Sequence, residues 1–229
     1  MAFKRLILLS LLAASPSFAA TILLYVAGAD NALGETINVN FNGTVSNVWA
    51  GGINVDVGGT TRNSGKDGDP RVVFCIQAFT DIGSNTYDTV IDFANTAPAT
   101  YNVAELERVA WLVDFHYPTT AVDGAGLQLA IWDILEDNGD GFSSGKIKST
   151  AQTNSQVLAS ATNYEAISAP NGLPMMGTTL AYIYDNTDAT TGAEVQDLIG
   201  QTPEPAAIIL IFSGLALIGL GRLRRRVTR

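Results

Sequence analysis

Two side chains, Cys75 and Gln128, have the types and surroundings for covalent chemistry. Cys75 is the only cysteine and sits in the apolar run Val72-Val-Phe-Cys75-Ile. A lone thiol makes no internal disulfide, so in an oxidising compartment it is buried, paired between chains, or used. Its apolar setting implies burial, and an inert core cysteine is the plain alternative to a reactive one. Gln128 is the one polar residue in Leu127-Gln128-Leu-Ala-Ile-Trp132. On a helix it lies one turn from Trp132 and on the same face. A buried amide without a partner costs roughly 1–3 kcal/mol, so it must be satisfied or chemically consumed. A hydrogen bond to strand backbone is the plain alternative here.

Other candidates are weaker. His116 is the only histidine, so a Cys/His pair is arithmetically possible, yet it stands beside Tyr117-Pro118 at a helix end. Capping or exposure suits that place better. Glu136-Asp-Asn-Gly-Asp-Gly141 has the composition of a calcium loop, but Ile147 stands where the closing glutamate belongs. A solvated turn is the simpler reading. No zinc spacing, phosphate loop or Ser-His-Asp order is present, so neither a metal nor a cofactor is expected.

The elements that must position Cys75 and Gln128 follow from periodicity. Ile37-Asn-Val-Asn-Phe41 and Ile53-Asn-Val-Asp-Val57 alternate, predicting antiparallel strands with one solvated face. Gly58–Pro70 is a polar, glycine-rich loop. Arg71–Ala78 is too apolar to alternate and predicts a central buried strand, with Thr86–Phe93 as a partner. Ala104–Phe115 has helical spacing with acids in its first turn, and Pro118 ends it. Ala125–Leu135 is apolar nearly all round, hence a buried helix. Ala151–Ala166 suits a polar helix, Thr179–Tyr184 a last strand, and Gly192–Thr202 an exit segment. The expected fold is α+β: an antiparallel β-barrel or sandwich-like domain with an inserted pair of buried helices.

The two ends of the chain read as addresses. Lys4 and Arg5 precede the apolar run Leu6–Ala14, and Ser17-Phe-Ala19 offers small residues for cleavage, predicting a signal peptide over residues 1–19. Residues 20–202 form the exported part. Residues 203–229 comprise Pro203-Glu204-Pro205, the uncharged run Ala206–Gly221, and a tail with Arg222, Arg224, Arg225 and Arg226. At about 1.5 Å per residue the run gives roughly 24 Å of helix, the short end for a bilayer core of about 30 Å. The arginines hold the C-terminus on the cytoplasmic side. A buried core helix is the alternative, but it explains the arginines poorly. This order resembles the PEP-CTERM sorting signal of Gram-negative bacteria. The resemblance implies an exosortase-type processing protease, transient residence in the inner membrane, and release or re-anchoring at the surface or matrix.

Phe74-Cys75-Ile76 and Leu127-Gln128-Leu-Ala-Ile-Trp132 together resemble the two motifs of the bacterial thioester domain of surface adhesins, over about 65 residues. The helical segment with Ala110-Trp111-Leu112 is similar to the one between those motifs. The resemblance implies that Cys75 supplies sulfur and Gln128 the acyl group of an internal thioester, with Phe74 and Trp132 lining its pocket. It implies covalent capture of an amine-bearing ligand, once per molecule, rather than enzymatic turnover. The familiar members sit on Gram-positive walls, whereas this tail implies a Gram-negative envelope.

Charge sets the remaining bounds. All 22 acidic residues lie between Ala20 and Pro205, against six basic ones there, a balance of −16. Such a surface argues against nucleic acid, whose phosphates need Lys and Arg. It suits solubility, cations or cationic partners. The reading that follows is an exported, sorted thioester protein of adhesion or matrix, with a non-reactive structural or carbohydrate-interacting matrix protein as the alternative. A secreted hydrolase comes third, lacking a nucleophile with a credible base.

Overall fold

The computed structural model describes residues 21–58, 69–78, 80–94, 101–173, 175, 181–188 and 190–201. The proposed signal peptide, the Pro203-Glu204-Pro205 motif, the span Ala206–Gly221 and the arginines at 222, 224, 225 and 226 all lie outside the described residues. No helix among the described residues is long and apolar enough to cross a membrane.

Among the described residues, seven antiparallel strands and three α-helices make an α+β fold. In chain order these are β1 (Ile22–Phe41), β2 (Thr44–Val57), β3 (Asp69–Cys75), β4 (Thr86–Phe93), α1 (Val103–Phe115), α2 (Ala121–Asp137), β5 (Ile147–Ser149), α3 (Ser155–Ser168), β6 (Tyr182–Thr187) and β7 (Leu198–Gly200). The two alternating runs fall on β1 and β2, with Ile37, Val39, Phe41, Ile53 and Val55 all buried. Asn42 and Gly43 join these strands as a two-residue turn, at φ 48° and 93°. Positive φ at both central positions matches the twist of a hairpin, which is why Asn-Gly suits the place.

The sheet order is β2-β3-β7-β6-β4-β1-β5, and β1 also pairs with β2. The ladders therefore join β1, β2, β3, β7, β6 and β4 into a closed run of six strands, with β5 attached to the far end of β1. β3 lies between β2 and β7, and Val73, Phe74 and Ile76 are fully buried. Burial on both faces explains why this stretch does not alternate.

Local capping fixes the helices. The Asn102 side chain accepts from the Ala104 N–H, that of Thr120 from Asp123, and that of Asn154 from Gln156. Each supplies an acceptor for a backbone donor that a helix start leaves unpaired. In α2 every residue from Gly124 to Ile134 is buried, as its all-round apolarity demands. The helix ends at Asn138, in the left-handed conformation at φ 62°.

Several boundaries differ from the sequence expectation. The polar helix expected over Ala151–Ala166 is α3, shifted to Ser155–Ser168, and it packs on α2 alongside α1. The α2 helix extends beyond 125–135 in both directions, and the β3 strand stops at Cys75. The last expected strand runs over Tyr182–Thr187, while residues 176–180 lie outside the described residues. The exit segment contains β7, which inserts between β3 and β6. Three residues are too few to show a period of two, and neighbours on both sides stabilise them.

Candidate functional site

Cys75 ends β3 at a gap in the sheet. The β2–β3 ladder stops at Ile53 opposite Val73, whereas the β3–β7 ladder continues to Cys75 opposite Leu198. The peptide groups of Cys75 on the β2 side thus meet no strand. Gln128 fills that place. Its Oε1 accepts from the Cys75 N–H at 2.9 Å, and its Nε2 donates to the Cys75 carbonyl at 2.7 Å. A primary carboxamide carries the donor and acceptor of a peptide group, so it stands in for the absent strand. Both groups are buried, and Gln128 is fully so.

The approach of α2 to the sheet depends on Gly124, one turn before Gln128. A Cβ there would come within 2.0 Å of the Leu33 carbonyl oxygen. Leu33 lies where the β1–β2 register slips between Ala29 and Gly34. Bare backbone at Gly124 lets the helix press onto this irregularity. Gly124, Gln128 and Trp132 recur every four residues, so one helix face carries all three.

Cys75 and Trp132 line a cleft of about 520 Å³, together with Trp49, Asp81, Asn47 and Gln196 among others. Trp132 is buried, packs edge-on to Phe41 at 5.5 Å, and its Nε1–H has no hydrogen-bond partner among the described residues. Burial first, and then the charge of Asp81, push the Cys75 thiol well above its ordinary range. The sulfur is therefore protonated at neutral pH. The chain beyond Cys75 is held firmly. Gln196 Nε2 donates to the Gln77 carbonyl at 2.6 Å, and Gln77 Oε1 accepts from the Asp197 N–H at 2.9 Å.

Other residues singled out from the sequence lie elsewhere. Phe74, next to Cys75 on β3, is fully buried and packs edge-on to Tyr117 at 5.9 Å. Successive strand residues face opposite sides, so Phe74 is not in the wall of the cleft. His116 caps α1 through its N–H to the Leu112 carbonyl, and its ring lies 4.4 Å from that of Trp111. It too stands apart from the cleft. Asp81, Trp49, Asn47 and Gln196 are cleft residues that the sequence reading did not single out. None of them carries a motif.

Acidic side chains cluster at the end of α2 and in the loop that follows it. One carboxylate oxygen from each of Asp133, Asp137 and Asp140 lies within 4.8 Å of the others. Hard divalent cations take such oxygens, so these three could hold one. A proton offers a different relief of the same crowding. Glu165 on α3 is pushed up to about 9 by burial and by its contact with Asp133. Asp133 is raised too, chiefly by its own burial. Arg108 closes the region from α1, donating to Ser168 Oγ at 2.8 Å and to the carbonyls of Asn138 and Glu165 at 3.0 Å each.

No protein-family model, curated protein or solved structure matches the chain.

Proposed function

We propose that this chain is an exported, exosortase-sorted surface or matrix protein whose Cys75 and Gln128 condense to an internal thioester that captures an amine-bearing ligand. The observation that supports it is the pair of hydrogen bonds between the Gln128 carboxamide and the peptide of Cys75 itself. Two groups 53 residues apart in the chain are held together where both are buried. Holding reactants in place removes several kcal/mol of orientational cost, about 7–11 at best. The closed run of ladders is the barrel-like scaffold on which we place this pair.

The chemistry balances without a co-reactant. Sulfur attacks the Gln128 carbonyl carbon, the C–N bond breaks, and the thiol proton leaves on the departing ammonia. A thiolate is disfavoured in this interior, but an acylated sulfur is neutral and carries no such penalty. Expelling a thiolate of raised pKa is also slow, which protects the thioester from chance attack. An amine then takes the acyl group, forming an amide and returning the thiol. Each molecule reacts once.

The plain alternative is a non-reactive structural or carbohydrate-interacting matrix protein with the same sorting tail. One observation favours it: both ends of the Gln128 amide are already satisfied, as a purely structural glutamine requires.

Methylamine separates the two readings. A thioester protein gains one methylamine adduct on Gln128 and exposes one titratable thiol, and either Cys75→Ala or Gln128→Ala abolishes both effects. A folded chain that takes up no methylamine is the structural protein.

A further inference from the structure

Among the described residues lining the cleft beside Cys75, the only other ionisable group is Asp81, and none is Lys, Arg or His. The same wall includes the indoles of Trp49 and Trp132. Trp49 is fixed by its Nε1–H to the Gly52 carbonyl at 3.3 Å, and Trp132 by Phe41. Asp81 is exposed, but its segment is tethered. The Tyr87 hydroxyl donates to the Gly83 carbonyl at 2.8 Å and accepts from the Gly83 N–H at 3.1 Å, while the Val26 N–H donates to the Asn85 carbonyl at 2.7 Å. The carboxylate is near enough for its charge to be felt at the Cys75 sulfur.

We infer that this cleft is a receptor for a primary alkylammonium group, with Asp81 as its counter-ion and specificity-determining residue and the indoles of Trp49 and Trp132 as its walls. A carboxylate with indole surfaces is the combination that attracts an organic cation, since ring faces are negative and Trp is the strongest of them. The inference rests on the thioester reading for its chemical consequence but not for binding. An ammonium bound here attacks only after it loses one proton to solvent; of the other two, one remains on the new amide and one goes with the departing sulfur, while Asp81 holds the cation in the cleft. Asp81 therefore selects cationic amines over neutral nucleophiles of the same size.

The test uses the full chain carrying Cys75→Ala, in which no thioester can form. Butylammonium and its neutral isostere butanol are titrated by calorimetry, with and without Asp81→Asn. Butylammonium should bind, Asp81→Asn should weaken it roughly fivefold, the upper size of a partly exposed ion pair, and 1 M salt should do the same. Butanol should be indifferent to the substitution. Equal butylammonium affinity with and without Asp81, or none in either, overturns the inference. Because Asp81 is exposed, an unchanged melting temperature confirms an intact fold. In the wild-type chain, Asp81→Asn should slow methylamine uptake by a similar factor. A wild type that takes up no methylamine refutes the thioester reading instead, and leaves the binding titration to decide the receptor.

Discussion

In its unreacted form the Gln128 side chain does structural work. It completes the hydrogen bonding of Cys75 where β2 no longer pairs with β3. Gln128→Ala leaves a buried N–H and a buried C=O unpaired, and we expect a loss of about 2–6 kcal/mol in urea unfolding, from roughly 1–3 for each group. Gln128→Glu keeps an acceptor for the Cys75 N–H but points an oxygen at its carbonyl, and should be no better tolerated. Cys75→Ala removes only the sulfur and should cost less than either. An equal loss from all three would mean that the amide contributes little beyond packing. Trp132→Ala opens the cleft wall to water and should shorten the lifetime of the thioester, read as return of the free thiol with time. Cys75 and Gln128 were legible as candidates because a lone thiol and a lone polar residue stand out in apolar runs. Asp81 was not, because it lies in an irregular segment where no periodicity separates a cleft residue from an ordinary loop acid.

At the scale of elements, the contact of α2 with the sheet is the adjustable part. Gly124→Ala places a methyl carbon within 2.0 Å of the Leu33 carbonyl oxygen, an encounter that must move the helix or the strand. We expect a loss of about 1–3 kcal/mol, as for an overpacked core, and a lower yield of thioester because Gln128 moves with the helix. The α2–α3 contact responds to pH. In the fold the Glu165 carboxyl holds its proton to about 9, whereas the usual value is 4.5. Between those limits the native chain binds more protons than the unfolded one, so stability falls as pH rises. Melting temperatures from pH 5 to pH 9 should therefore decline, and Glu165→Gln should flatten the slope. A rise over that range would contradict the assignment. The helical periods of α1 and α2 were plain in the sequence, and so were the alternating parts of β1 and β2. The short β5 and β7 strands were not. Their identity comes from the neighbours they join. The role of Gly124 was equally silent, since a glycine in a helix does not announce what it touches.

For the molecule as a whole, the charge balance of −16 between Ala20 and Pro205 gives a surface that repels its own copies and attracts cations. That agrees with a cationic ligand. The two terminal addresses make a separate claim. Glu204→Ala should leave the C-terminal tail uncut in a strain containing the exosortase, seen as a membrane-retained precursor on an immunoblot. Normal cleavage would show that the tripeptide is not what the processing machinery reads. The proposed chemistry is independent of that result and turns on one bond. The folded, untreated chain should weigh one ammonia less than its sequence requires after allowing for any cleavage, with its single thiol unreactive. A full calculated mass, with Cys75 titratable on unfolding, would contradict it.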